Sequence, residues 1–468
     1  MSTPADLTAT ELVAAYSAGE LSPVEATQDV LERIEQLDHL VRAFCLVDAD
    51  RALAAAKVSE QRWQQDQPQG LVDGVPTSIK DIFLTAGWPT LRGSKVVSPD
   101  QEWPVDAPSV ARLREHGAVL IGKTTTPELA WKCVTDSPLS GTTVNPWNTS
   151  RTPGGSSGGS AVAVALGMGP LSIGADGGGS VRIPASFTGT VAIKPTYGRV
   201  PHWPAGPFGT LAHTGPMART VADTALLLDV VSEPDTRDWS ALPPAPGSYS
   251  GALGNGVLGL RIALSPTLGY VDVDPDVAEA VEAAAQVFSY LGAEVEVADP
   301  DLADCVEDFH VLWFTGVAKT VERLSPDERE LLEPALREIV ARGERCSALE
   351  YLAATATRMA MGTRMGAFHE RYDLLLTPTV PITPFVAGEE VPIGWQLPRW
   401  TSWTPFTYPF NMTQQPAASV PCGWSVTGLP IGLQVVGPRH ADARVLAACA
   451  AYERAVPWTD RRPPLVPR

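Results

Sequence analysis

Two glycine-rich turns on either side of one short apolar stretch constrain this chain more than any other feature of its sequence. The first turn, Gly154 to Ser160, reads GGSSGGS and leads directly into the small apolar stretch 161–169. The second turn, Gly174 to Arg182, reads GADGGGSVR. Flexible linkers are also rich in glycine and serine, but they do not lead straight into an apolar helix. The pattern therefore predicts a helix packed tightly against a sheet, with two serine-bearing turns that fold back near each other.

The N-terminal region predicts two consecutive helices within about residues 8–44. Thr8 and Glu11 form a capping box, in which each side chain satisfies a free backbone amide at the start of a helix. Ser22 and Glu25 form a second capping box directly afterwards. These helices are expected to pack on a larger body.

The rest of the chain alternates short apolar runs, turns and amphipathic stretches, which indicates an α/β protein around a sheet. Strands are predicted at 118–121, 191–194, 260–264, 295–297, 374–376, 418–420 and 433–436, and helices at 109–116, 161–169, 220–231, 277–291, 441–452 and through most of 309–368. The stretch 260–297 is predicted to form a βαβ unit, and 234–255 a connecting loop. Because no repeat or break in composition divides the chain, one large domain is expected over residues 1–468.

Charge and composition exclude several classes of protein. The chain has 35 Lys and Arg against 53 Asp and Glu, a net charge of −18, and such a surface repels nucleic acid on average. Hydrophobic residues make up 44% of the sequence, which is enough for a sizeable core and excludes global disorder. No heptad pattern persists, so a coiled coil is excluded as well.

The cysteines and the N-terminus suggest a cytoplasmic protein. The six cysteines are scattered without a C-x-x-C pair, which favours reduced core thiols over disulfides or a zinc site. Residues 1–10 have neither the basic nor the apolar region of a signal peptide, and no apolar run reaches the roughly 18 residues of a membrane span. We therefore expect no metal, no membrane and no nucleic acid among its partners.

The serines of the two turns need a base before either can act as a nucleophile at neutral pH. The run GGSSG around Ser156 matches the letters G-x-S-x-G, but no strand is predicted directly before it, as the strand-to-helix elbow that histidine usually serves requires, although the chain has seven histidines. Lysine is the other known partner of a nucleophilic serine, and Lys80 stands out in the run GVPTSIKD. For lysines in general, an ordinary surface position at the end of a strand remains the commoner alternative.

Several ordered motifs together resemble the amidase signature family of serine hydrolases. The match includes both glycine-rich turns, the lysine motif from Gly74 to Asp81, and further motifs at 117–123, 145–147, 193–196, 215–221, 411–416, 421–423 and 428–434. The resemblance covers about residues 7–453. It implies a large single domain with a central mixed β-sheet covered by helices on both faces, a signature core at about 71–231 and a more variable, substrate-shaping region at about 300–410.

The resemblance also implies a Ser–Ser–Lys triad and no cofactor. Ser180 corresponds to the nucleophile, Ser156 to the bridging serine that follows a cis peptide bond, and Lys80 to the base. Asp176 and Arg182 correspond to a charged pair that supports the nucleophile turn.

The backbone amides of the second turn correspond to the oxyanion hole, which binds charge that appears only in the tetrahedral state. These amides belong to Gly177, Gly178, Gly179 and Ser180. Two positions depart from the family pattern TDTGGS, because Ala175 lacks a hydroxyl and Gly177 replaces a threonine. Both changes leave the triad intact and predict a looser oxyanion hole.

The triad makes an electrostatic demand on Lys80. A free lysine has a pKa of about 10.4 and is almost wholly protonated at neutral pH. To accept a proton, Lys80 must be buried or lie near other cations, either of which lowers its pKa. The neighbouring Ile79 and Ile82 agree with burial, and strand alternation directs Asp81 to the opposite face.

The sequence says less about the substrate. Thirteen tryptophans are many for this length, and Trp131, Trp400 and Trp403 are predicted to line an apolar pocket that accepts an aryl group. Ordinary core positions are an equally good interpretation of these three tryptophans.

Three functions follow from these observations. The leading hypothesis is an amidase that cleaves small aryl or alkyl amides, and also esters or carbamates. A homodimer is an open alternative to a monomer. The second is the glutaminase subunit of a tRNA-dependent amidotransferase, although those subunits usually carry glutamine where this chain has Ile183. The third is a non-catalytic binding protein, which the intact triad opposes.

Overall fold

The computed structural model describes residues 3–466, and these form a large single α/β domain around one mixed sheet of eleven strands. The strand order is β1-β3-β2-β6-β8-β7-β12-β13-β11-β9-β10, and β4 and β5 form a separate hairpin. The strands are β1 Phe44–Val47, β2 Pro76–Lys80, β3 Val119–Thr124, β4 Asp136–Ser137, β5 Gly141–Thr142, β6 Leu171–Asp176, β7 Val191–Lys194, β8 His213–Ala218, β9 Arg261–Leu264, β10 Glu294–Val297, β11 Leu374–Pro378, β12 Ala417–Trp424 and β13 Pro430–Val436.

Helices follow most of the strands. They are α1 Ala9–Ala18, α2 Pro23–Val41, α3 Ala49–Gln64, α4 Pro108–Glu115, α5 Gly158–Ala165, α6 Arg182–Thr188, α7 Val221–Val231, α8 Tyr249–Ala252, α9 Pro275–Tyr290, α10 Val306–Thr320, α11 Pro326–Arg329, α12 Pro334–Gly343, α13 Ala348–His369, α14 Tyr408–Met412 and α15 Asp442–Ala455. Short 3-10 turns lie at Pro4–Asp6, Glu128–Ala130, Gly209–Leu211, Leu253–Asn255 and Trp400–Trp403.

Alternation along the central strands shows that helices cover both faces of the sheet. In β11, Leu374 and Leu376 join the apolar core that α4, α7, α9 and α15 cover. Leu375 between them points the opposite way, into a second core with α10, α12 and α13. Side chains of successive strand residues point to opposite faces, so a strand buried on both faces reads as a continuous apolar run.

The predicted helix starts at the N-terminus are confirmed. Thr8 caps α1 and Ser22 caps α2, each with the reciprocal bond from the acidic residue three positions on. Gly19 ends α1 with a φ of 69°, a left-handed conformation that glycine adopts without a steric penalty.

The βαβ unit is also confirmed, because β9 and β10 are parallel neighbours on either side of α9. Two other expectations need correction. The region 234–255 contains α8 and a 3-10 turn rather than loop alone. The helix predicted at 161–169 is α5, which starts at Gly158 and ends at Ala165.

Three neighbouring strands position the predicted site residues. β2 lies between β3 and β6, and all three run parallel. The carboxyl ends of β2 and β6 therefore meet at one edge of the sheet, where β2 ends with Lys80 and β6 ends with Asp176. Crevices outside the carboxyl ends of strands are the usual ligand sites of open α/β sheets.

Candidate active site

Lys80, at the end of β2, reaches the first glycine turn. Its Nζ donates to the Ser156 Oγ at 2.7 Å and to the Ser157 Oγ at 2.9 Å, and its side chain is fully buried. The peptide bond between Gly155 and Ser156 is cis. The structure thus brings the predicted base and the predicted bridging serine into direct contact.

The two glycine-rich turns meet, as their sequence predicts. The Ser157 amide donates to the Ser180 carbonyl at 3.1 Å, and the Ser157 hydroxyl donates to the Ala175 carbonyl at 3.2 Å. Ser157 therefore joins β6, the second turn and Lys80. Sequence reasoning assigns Ser157 no role, because order along the chain does not show that the lysine contacts both adjacent serines.

Burial lowers the pKa of Lys80 to about 7, because a low-polarity interior disfavours the ammonium form. The carboxylate of Asp176 acts in the opposite sense and keeps the pKa from falling further. As expected, Asp81 faces away, where it pairs with the buried Lys123 at 3.3 Å. A large fraction of Lys80 is thus neutral at neutral pH and able to accept a proton.

Ser180 lies just before α6 and faces the same cavity as Lys80 and Ser156. Within residues 3–466, its hydroxyl has one hydrogen-bond partner, the Cys133 sulfur at 3.7 Å, rather than Ser156. Burial raises the pKa of the Cys133 thiol, which is therefore a neutral group and not a competing thiolate nucleophile.

The predicted supporting pair forms a buried ion pair beneath the second turn. Arg182 donates to both carboxylate oxygens of Asp176 at 2.9 Å, and neither side chain is exposed to solvent. The same guanidinium donates to the side chains of Asn411 and Gln434 at 2.7 Å and to the Thr407 carbonyl at 3.0 Å. Burial alone would raise the pKa of Asp176, but the Arg182 cation holds it well below its usual range. The pair links the nucleophile turn to α14 and β13, which fixes its shape.

One amide of the predicted oxyanion hole is already engaged. The Gly179 N–H donates to the Asp176 carboxylate at 2.7 Å, because the turn curls back over the strand end. Within residues 3–466, the amides of Gly177, Gly178 and Ser180 have no protein acceptor. Three of the four predicted amides are therefore free to bind an oxyanion, and the fourth is engaged by the protein. Residue 179 must be glycine for a steric reason, because a Cβ there would clash with the Thr407 hydroxyl.

A cavity of about 200 Å³ opens over Lys80, Ser156 and Ser180. Four aromatic side chains, those of Phe83, Trp203, Phe208 and Trp313, contribute to its walls. The ring of Trp313 stacks on Phe208, with 4.3 Å between ring centroids, and lies against the Cα of Gly177. A Cβ at Gly177 would come within 2.6 Å of that ring, so the departure from threonine makes room for Trp313.

The three tryptophans predicted to line the pocket lie in the packed core instead. Trp131, Trp400 and Trp403 are at most 1% exposed and do not border the cavity. Trp400 backs Gly178, and Trp403 stacks on Phe187 with 5.8 Å between ring centroids. Ordinary core positions, the alternative interpretation of these three tryptophans, are therefore what the structure shows, and other aromatic residues line the cavity.

We expect Trp403→Ala to lower the free energy of unfolding by about 3–5 kcal/mol, because it leaves a cavity in a packed core. The kcat/KM values for an anilide and for a short aliphatic amide should fall by the same factor. Trp313→Ala is the matched comparison, since it removes a cavity wall and should change the ratio of the two values. If Trp403→Ala altered the ratio of the two kcat/KM values and left the melting temperature unchanged, Trp403 would line the substrate pocket and the assignment to the core would be wrong.

Within residues 3–466, no group of three or more His, Cys, Asp and Glu side chains is arranged to hold a metal ion. In the same residues, no helix is both long and apolar enough to cross a bilayer.

The chain is similar in sequence and in fold to known amidases. The amidase family model matches residues 25–446. An acylamidase of Rhodococcus erythropolis is 36% identical over 468 residues, which cover 98% of this chain and 97% of that protein. A glutamyl-tRNA(Gln) amidotransferase subunit of Myxococcus xanthus is 37% identical over 489 residues, which cover 98% and 99%. The crystal structure of a bacterial aryl acylamidase has a TM-score of 0.91 and 32% identity, and covers 97% of both chains.

Proposed function

The chain belongs to the amidase family and hydrolyses amide C–N bonds, and we propose that its substrates are small aryl or alkyl amides. The observation that carries this proposal is the buried Lys80 in contact with Ser156, beside Ser180 at the floor of a cavity with aromatic walls. Esters and carbamates present the same carbonyl to the nucleophile and are expected to react as well.

The proposed reaction begins when neutral Lys80 takes the proton of Ser156, and Ser156 takes that of Ser180. For this, the Ser180 hydroxyl must leave Cys133 and hydrogen-bond with Ser156, and such catalytic bonds often tighten only when substrate is bound. The Ser180 oxygen then attacks the amide carbonyl, and a tetrahedral adduct forms.

The negative charge of this adduct would be bound by the free amides of Gly177, Gly178 and Ser180. These donors are held in place by the buried ion pair of Asp176 and Arg182, so they need no reorganisation as the charge develops. The adduct collapses when the amine leaves with the proton returned along the same relay. A water molecule, deprotonated by the relay, then releases the acid from Ser180.

The glutaminase function is the second candidate, because amidotransferase subunits are as similar in sequence as the acylamidase. Free glutamine carries an ammonium group as well as a carboxylate. Within residues 3–466, no Asp or Glu lines the cavity to bind that ammonium, and most of the lining residues are apolar or aromatic. These features support the acylamidase, as does the acidic net charge, which opposes binding to tRNA.

A panel of amides tests the proposal. We expect purified protein to hydrolyse anilides and short aliphatic amides, with a kcat/KM at least about 100-fold above that for glutamine, since an unpaired buried ammonium costs several kcal/mol. Release of the amine or of ammonia is measured for each substrate, with Ser180→Ala as the blank. Hydrolysis of glutamine alone would support the glutaminase instead.

A further inference from the structure

Arg92 carries the one full positive charge among the described residues that line the catalytic cavity, and no mechanism step above uses it. It follows β2 in the loop that leads to α4, and its carbonyl accepts the Leu129 amide at 2.8 Å. The other two basic side chains of the lining are Lys80 and His202. Burial lowers the pKa of both, and the nearby Arg92 cation lowers the pKa of His202 further.

The Arg92 guanidinium is not neutralised by the protein. Among residues 3–466 it makes no ion pair within 4.0 Å and donates no hydrogen bond, whereas the buried Arg182 donates to five acceptors. Asp81 is the nearby carboxylate, but it pairs with Lys123 and accepts the amides of Leu91 and Gly93. It therefore attracts Arg92 only from a distance.

Arg92 offers five guanidinium N–H donors beside a cavity in which no carboxylate from residues 3–466 lies. Such donors are suited to a planar oxyanion, which a guanidinium binds with two parallel hydrogen bonds. From this arrangement we propose that the substrate carries a carboxylate and that Arg92 binds it. The inference rests on the proposed amidase function and narrows its substrate to small amides with one acidic group. The stacked rings of Phe208 and Trp313 bind the flat or apolar part of the same molecule.

Two pairs of substrates test this inference. In the first pair, 4-acetamidobenzoate is compared with 4-nitroacetanilide, whose nitro group has the shape of a carboxylate without its net charge. In the second pair, N-phenylsuccinamate, with its carboxylate on the acyl side, is compared with butyranilide. The inherent reactivity of each substrate cancels when the ratio of kcat/KM values within a pair is compared between wild type and a variant.

For at least one pair, we expect Arg92→Met to lower kcat/KM for the anionic member by about 10- to 100-fold, the worth of a charge-assisted hydrogen bond. The change should lie mainly in KM, and the neutral member should change less than about 3-fold. Arg92→Lys should keep part of the preference, and added salt should weaken it. Equal losses for both members of both pairs would overturn the inference.

A control variant and the melting temperature show whether an effect of Arg92→Met comes from the charge lost in the cavity. Arg364→Met removes one positive charge from an exposed position outside the cavity and should leave both ratios unchanged. The backbone of residue 92 has a φ of 56°, which is equally unfavourable for arginine and methionine, so the melting temperature should hold.

Binding to the inactive Ser180→Ala protein gives a readout without turnover. Its Kd for each anionic amide is measured by calorimetry with and without Arg92→Met, and at least a tenfold weakening for one of them is expected. Hydrolysis of neutral anilides with no effect of Arg92 in either assay would overturn the inference and leave the amidase in place. Failure to hydrolyse any anilide, with Arg92-dependent binding intact, would overturn the proposed function alone.

Discussion

Ser180→Ala is expected to lower kcat/KM for an anilide by about 10⁴-fold or more, because the variant has no oxygen with which to form the acyl-enzyme. The loss is measured by steady-state hydrolysis over long incubations. Folding should be unaffected, since the one hydrogen bond of the Ser180 hydroxyl within residues 3–466 is the weak bond with the Cys133 thiol. The turn itself is held by Asp176 and Arg182, which the substitution leaves in place.

Ser160→Ala is the matched control for this experiment. Ser160 belongs to the first glycine turn, but its hydroxyl pairs with Thr124 at 2.7 Å and does not face the cavity. Its loss should cost about 1 kcal/mol of stability and change kcat/KM less than about tenfold. If Ser160→Ala abolished turnover while Ser180→Ala retained it, the assignment of the nucleophile would be wrong.

Lys80→Met is expected to lower kcat/KM by about 10³- to 10⁴-fold and to raise the stability of the protein. Methionine fills a similar volume without a charge, so the relay loses its base while the core loses a costly buried amine. Ser156→Ala should cost less activity, because water can replace a bridging hydroxyl more readily than a base.

The stability gain should depend on pH in a definite direction. The pKa of Lys80 falls from an ordinary value of 10.5 to about 7 in the folded protein. Between these two pH values Lys80 is protonated in the unfolded chain and neutral in the folded protein. The free energy of unfolding of the wild type therefore falls as the pH drops from above 10.5, by up to about 4 kcal/mol at pH 7. Lys80→Met should therefore raise the melting temperature more at pH 7 than at pH 10. The loss of the hydrogen bonds to Ser156 and Ser157 reduces this gain in stability at both pH values.

The wild-type rate gives the complementary readout, because only neutral Lys80 accepts a proton. Its kcat/KM should rise with pH through about 7 and then level off. A pH-independent rate from pH 5 to 9, or a Lys80→Met protein with near-wild-type activity, would remove Lys80 from its role as the base.

Local signals in the sequence predict much of the fold. The capping boxes at Thr8 and Ser22 mark helix starts because the bonds they make are between residues three positions apart. The strand predicted at 191–194 is β7 as observed. In contrast, β6 is absent from the predicted strands, since its sequence LSIGAD has little strand character and its pairing with β2 and β8 joins residues about 40 to 95 positions away.

The sequence predicts those parts of the site that depend on the type of residue, and it does not predict those that depend on how distant segments pack together. A lysine and serines in glycine turns can be recognised along the chain, and the structure brings Lys80 and Ser156 together. The aromatic wall depends on Phe208 meeting Trp313 across the fold, which no local pattern reveals. The curl of the turn that engages the Gly179 amide is equally invisible in the sequence.

The most direct test of the account is to identify the residue that becomes covalently modified during turnover. Protein treated with a fluorophosphonate, or quenched during reaction with a slowly released carbamate, is digested and its peptides are mapped by mass spectrometry. The account predicts a single adduct on Ser180, formed faster as the pH rises through about 7 and absent from Lys80→Met. An adduct on Ser156, Ser157 or Cys133, or turnover of the carbamate without any adduct, would contradict it.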